Sequence, residues 1–240
     1  MDRRVLLAAL AAMTAGRAMA DPVTDFIGRS TGAGLPPGVT GRDAESGLRQ
    51  ALSKGAVAAV LRVGRLDGFW ADNHIRIPLP GPLGSLQKTL SPLGMGGPLD
   101  DLQLKINRAA ETAAPKAKKL FVDAITGMTV DDVVGVLRGG DTAGTQYLRN
   151  RTGGQLGELF RPPMRQALDS TGAMRSLKRV VADNNVGGLF GGDPAASLTG
   201  FAVGKALDGV FYYVGEEERA IRQDPVKQST SLLRKVFGNL

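Results

Sequence analysis

Apolar residues recur at helical spacing over most of the chain. Leu48, Leu52, Val57, Val60 and Leu61 outline a helix from Asp43 to about Arg65, with Asp43 placed to cap it. A cleaner stripe follows Pro98: Leu99, Leu102, Ile106, Ala109 and Ala113 fall on one side, and Asp100 and Asp101 suit the positive end of the helix dipole. Pro115 breaks or kinks that helix, because it has no N–H and its ring meets the preceding turn. Leu120, Phe121, Ala124 and Ile125 carry a further helix. Thr129 and Asp132 then start a short one with a reciprocal cap, ending near Gly139 and Gly140. Asp141 is placed to cap the next, through Tyr147 and Leu148. Later helices are expected at about 155–169, interrupted at Pro162 and Pro163, and at about 173–182, 195–223 and 226–237.

Two stretches break the pattern. Residues 21–42 are rich in Gly, Pro, Ser and Thr and read as a flexible leader. Residues 67–80 end in Ile75-Arg76-Ile77-Pro78-Leu79-Pro80, whose prolines forbid a helix, so the segment should run extended. Alternation lets Ile75, Ile77 and Leu79 drop into a groove between helices while Arg76 faces water. The expected fold is all-α: a single irregular multi-helix bundle over residues 43–240 with one short extended, proline-containing segment. No internal repeat or composition shift divides it.

The amino terminus changes the picture of where this bundle works. Arg3 and Arg4 precede an apolar run from Val5 to about Ala15, and Ala18-Met19-Ala20 has the small-residue pattern of a cleavage site. The run is shorter than the roughly 20 apolar residues a membrane span needs, so a signal peptide cleaved after Ala20 and a soluble periplasmic protein without a transmembrane helix are expected. The paired arginines fit both the general secretory and the twin-arginine routes. Loss of Arg3, Arg4, Arg17 and Asp2 lowers the charged count from 30 basic and 23 acidic to 27 and 22, a net charge of +5. That modest excess suits an anionic envelope surface, and export makes nucleic acid an unsuitable partner. With no cysteine the fold has no disulfide, no lipidation anchor and no thiolate chemistry, so its stability rests on packing.

Six segments together resemble one family: Ile75-Arg76-Ile77-Pro78-Leu79-Pro80, Asn107-Arg108-Ala109-Ala110-Glu111, Met128-Thr129-Val130-Asp131-Asp132, Thr145-Gln146-Tyr147-Leu148-Arg149, Glu217-Glu218-Arg219-Ala220-Ile221-Arg222 and Leu233-Arg234-Lys235-Val236-Phe237-Gly238. The chain resembles the bacterial family called domain of unknown function 4197 over nearly all of its mature length. The resemblance implies export and a helical fold, but no substrate, cofactor or catalytic residue. The chain departs from the usual look of that family in its glycine-rich run at residues 185–192.

Candidate chemistry is sparse. The sole histidine, His74, reads as a surface or turn residue, and no Walker or dinucleotide glycine pattern is present. Glu218 falls on the stripe of Leu207, Val210, Val214 and Ile221, so an acid is aimed at the core. Arg222, one turn on, can pair with it as a structural ion pair at the edge of packing. If that pair is buried, Arg222→Ala should cost about 3–5 kcal/mol. Glu111, with Asn107 and Arg108, lies away from the main stripe and is most simply a solvated face. If the 75–80 segment covers that side, the three instead form a buried polar network or line a small pocket.

Without a recognisable nucleophile, base and oxyanion donor, the chain reads as a non-enzymatic binding or interaction protein for an amphipathic ligand, an envelope surface or a protein partner. No cofactor is expected. Candidate binding residues are Asn107, Arg108, Glu111, Glu218 and Arg222. The alternative is a carboxylate-based hydrolase or a protein that binds a hard metal through its acids.

Overall fold

The computed structural model describes residues 41–172, 175 and 193–223. They form seven α-helices: α1 (Gly41–Val63), α2 (Gly81–Leu90), α3 (Gly97–Ala113), α4 (Ala117–Thr126), α5 (Val130–Arg138), α6 (Ala143–Asp169) and α7 (Pro194–Gln223). Short 3-10 turns at Ser91–Leu93 and Ala114–Lys116 precede α3 and α4. No strand occurs among the described residues, so the fold is all-α. The expectations for residues 1–40, for 226–237 and for the glycine-rich run at 185–192 lie outside the described residues, as does nearly all of the helix expected at 173–182.

The two longest helices, α6 and α7, pack on one another most extensively, with α1 against α7 and α3 against α6 on the flanks. Their buried side chains join those of the shorter helices in a single hydrophobic cluster. The stripe on α3 is inward as expected, with Leu99, Leu102, Ile106, Ala109 and Ala113 all buried. Phe121 of α4 meets Phe211 of α7 edge to face at 5.7 Å between ring centroids. Each such fully buried ring contributes roughly 1.5–3 kcal/mol through area removed from water. Small residues let α1 approach α7 closely: a methyl on Gly55 would lie 3.2 Å from Ile221 Cδ1.

Local rules placed several boundaries correctly. Thr129 and Asp132 form the reciprocal cap of α5, and Pro115 marks the turn between α3 and α4. Three expectations need correction. First, α1 begins at Gly41, so Asp43 sits in its first turn, where an acid still meets the dipole. Second, the helices expected on either side of residue 150 are one, and Pro162 and Pro163 do not interrupt it. Both prolines miss the core, Pro162 being exposed and Pro163 half-buried, while Leu156, Phe160, Met164 and Leu168 on the other side are wholly buried. Packing of that inward side holds the helix through the lost donors. Third, Asp141 is not the cap of α6. Its N-cap position is Thr142, whose side chain makes no capping bond.

One helix, α2, has no counterpart in the sequence expectations. Leu83, Leu86 and Leu90 have helical spacing, but flanking glycines and prolines hide it, and of these only Leu83 is buried. Between α1 and α2 the chain runs as turns and extended backbone. Ile75, Ile77 and Leu79 are buried there and Arg76 is exposed, as the alternation requires.

Candidate functional site

The Asn107 side of α3 is covered, not solvated. Asn107 Oδ1 accepts the Ile77 N–H at 2.8 Å, and its Nδ2 donates to the carbonyls of Ile77 at 3.0 Å and Gln103 at 2.8 Å. One amide thus holds both backbone groups of Ile77 inside the protein. One turn further, Glu111 Oε1 accepts the N–H groups of Phe69 at 3.1 Å and Trp70 at 3.0 Å. Its Oε2 accepts from Arg108 Nη1 at 2.7 Å, and Arg108 Nη2 reaches Asp67 at 2.7 Å. Asp67 is in the left-handed region, φ 64°, so this network fixes a strained turn. It also seats Phe69 against α7, where a methyl on Gly209 would come within 2.7 Å of the ring. The segment that covers this side is the 67–80 stretch itself, whose irregular backbone finds its partners in α3 side chains.

Glu218 performs a different task. Its Oε1 accepts the Gly144 N–H at 2.9 Å, and its Oε2 accepts both the N–H and the hydroxyl of Thr145 at 2.7 Å. These amides open α6, so a carboxylate from the far end of α7 caps a helix whose own residues do not. Arg222 Nε and Nη2 donate to Glu218 Oε1 at 3.1 and 2.8 Å, and Nη2 also reaches the Val136 carbonyl at 3.0 Å. The structural ion pair expected from the spacing is present. It is half closed: Glu218 is buried, whereas the Arg222 side chain keeps 26% of its exposure.

Glu111 and Glu218 share no partner. Phe69, anchored beside Glu111, meets α7 at Gly209, nine residues before Glu218, or roughly 13 Å along the axis. A hydrolase that used them together would have to release the backbone groups each one holds. Among the described residues no three His, Asp or Glu side chains converge as a metal site requires.

Beside the Glu218–Arg222 pair the structure opens a cleft of about 260 Å³. Leu48, Ala51 and Leu52 of α1, Leu137 of α5 and Ile221 of α7 form its apolar wall, and Asp141, Glu218 and Arg222 supply the polar edge. Among the described residues Arg222 Nη1 has no hydrogen-bond partner, so its two N–H groups remain at that edge. Sequence spacing pointed to Glu218 and Arg222 but not to the wall, because three helices distant in sequence build it. A second missed group lies near the other end of α1. Tyr213 donates to Asp72, Arg62 stacks 4.0 Å over the Tyr213 ring, and His74 lies parallel to Tyr212 at 5.9 Å. The Tyr213 hydroxyl is held above its ordinary pKa by burial and by the Asp72 carboxylate.

A family model described as "Protein of unknown function (DUF4197)" matches residues 38–238. The chain belongs to that family. The match spans both buried glutamates and every residue of the cleft. No curated protein and no solved structure matches this DUF4197 chain. The family description names no activity, so a functional reading of the DUF4197 chain rests on the site itself.

Proposed function

We propose that the protein is an exported, non-enzymatic binding protein of the periplasm that holds an amphipathic molecule in the cleft beside Arg222. The observation that carries this reading is the pairing of an apolar wall with a single polar edge. Leu48, Leu52, Leu137 and Ile221 suit a hydrocarbon portion, and Arg222 Nη1, without a partner among the described residues, suits a head group that accepts a hydrogen bond. The volume lies just under the roughly 300–1,000 Å³ of most small-molecule sites. It fits a compact amphipath or part of one acyl chain, not an entire phospholipid.

The buried carboxylates support a binding role over a catalytic one. Glu111 accepts three hydrogen bonds and Glu218 five, all to groups that hold the fold. Export is supported by Arg3, Arg4, the apolar run and Ala18-Met19-Ala20. No helix among the described residues is long and apolar enough to cross a membrane.

Native mass spectrometry of the protein purified without detergent from the cell envelope tests both parts. The expected spectrum shows a chain beginning at Asp21 with one small amphipathic molecule retained per copy. A chain that keeps residues 1–20 contradicts export, and one free of any bound molecule that also refuses acyl probes contradicts the binding role.

A further inference from the structure

The opposite end of α1 presents a surface that the cleft does not use. Leu61 and Leu66 are 55% and 74% exposed. Leu66 is not a loose side chain on a loose loop. The Gly68 N–H closes a turn on the Arg65 carbonyl at 2.9 Å, Arg108 holds Asp67, and Phe69 is wholly buried. The backbone on the carboxyl side of Leu66 is therefore anchored, and the leucine stands at the tip of a fixed turn facing water.

The same corner is basic. The end of α1 abuts the turn before α4, so closely that a methyl on Gly64 would come within 2.5 Å of Pro115 Cγ. That contact puts Leu61, Arg65 and Leu66, each within three residues of Gly64, at the same corner as Lys116 and Lys118, each within three residues of Pro115, and all five are exposed. The acids at this corner are engaged: Asp67 by Arg108 and Asp123 by Lys119. Among the described residues Arg65, Lys116 and Lys118 have no acidic partner.

Exposed leucines beside cations that have no acidic partner among the described residues are complementary to an anionic layer with hydrocarbon beneath it. We propose that this corner docks the protein on an anionic phospholipid surface. Leu61 and Leu66 enter the head-group layer, and Arg65, Lys116 and Lys118 face phosphates. The corner and the cleft occupy opposite ends of α1, so this inference stands independently of the ligand reading.

Sedimentation with large vesicles tests it, using parent and variant proteins with identical amino termini so that any contribution of residues 1–20 cancels. The parent should bind vesicles containing anionic phosphatidylglycerol and not vesicles of phosphatidylcholine alone, and should be released by high salt. Each cation near such a surface changes partitioning by roughly fivefold, so Arg65→Gln, Lys116→Gln and Lys118→Gln combined should weaken binding by about 100-fold. Leu66→Ser should weaken it by about tenfold or more at constant charge. A control that removes Arg151, Arg161 and Arg165 from the exposed side of α6 should bind nearly as the parent does. Equal losses in both triple variants would reduce the effect to net charge and overturn the proposal. So would a parent that ignores anionic vesicles, or a parent dimer that Leu66→Ser converts to monomer without any vesicle binding, which would make the corner a contact between copies.

Discussion

The amino termini of α5 and α6 lie 13 residues apart in the chain and are finished in opposite ways. At α5 the cap is written in four consecutive residues: Thr129 accepts the Asp132 N–H at 3.1 Å, and Asp132 accepts the Thr129 N–H at 2.8 Å. At α6 the local candidates make no such bond, and the acceptor is Glu218, 74 residues from Gly144. Both ends satisfy the same orphan donors of a helix's first turn. A local cap defines one helix, whereas a borrowed cap ties α6 to α7 and fixes the polar edge of the cleft that α1, α5 and α7 line. The second arrangement makes a helix terminus part of the tertiary structure.

The sharpest way to break that contrast is Glu218→Gln. Both carboxylate oxygens accept from backbone N–H groups, so an amide nitrogen must face one of those donors whichever way it turns, and the charge opposite Arg222 is lost. Unfolding in urea should show a loss of about 2–4 kcal/mol. Arg222→Ala comes next. The 3–5 kcal/mol of a buried pair does not apply, because the guanidinium is a quarter exposed and Glu218 retains Gly144 and Thr145. The same measurement should give about 1–2 kcal/mol. Glu111→Gln should cost about 1 kcal/mol, since one oxygen takes both backbone donors and only the half-exposed Arg108 faces the other.

An effect of similar size belongs to the local cap. Thr129→Ala should cost about 1 kcal/mol. The Thr129 backbone N–H holds the Asp132 carboxyl below its ordinary value of 3.8. An acid with a depressed folded pKa stabilises fully above its unfolded value and loses that contribution as pH falls through the folded one. The difference between parent and Asp132→Asn should therefore hold from neutral pH down to about 4 and shrink in more acid solution. A difference that grows below pH 4 would contradict the cap's electrostatic part.

The same contrast explains what could be read from the chain in advance. The α3 stripe, the Pro115 break, the α5 cap and the alternation of Ile75, Ile77 and Leu79 depend on residues within a few positions of each other, and all are as expected. The Glu218–Arg222 pair was legible for the same reason, being one helical turn apart. The recipient of Glu218 was not, because nothing near Gly144 or Thr145 announces an acid arriving from the end of α7. The covering of Asn107 and Glu111 depended on where the 67–80 segment lands, and the cleft wall on where α1, α5 and α7 meet. Continuity of α6 through Pro162 and Pro163 likewise followed from packing on its other side, which local proline rules do not include.

Titration of an environment-sensitive fluorescent acyl probe into the parent and Leu137→Glu tests whether the cleft holds an amphipath. Leu137 is a half-buried wall residue in the last turn of α5, so a carboxylate there spoils the apolar lining while circular dichroism can confirm that the helices persist. Saturable binding of one probe per parent chain and at least tenfold weaker binding to the folded variant are expected. Identical affinity in the two proteins, or no uptake by the parent, would contradict that role.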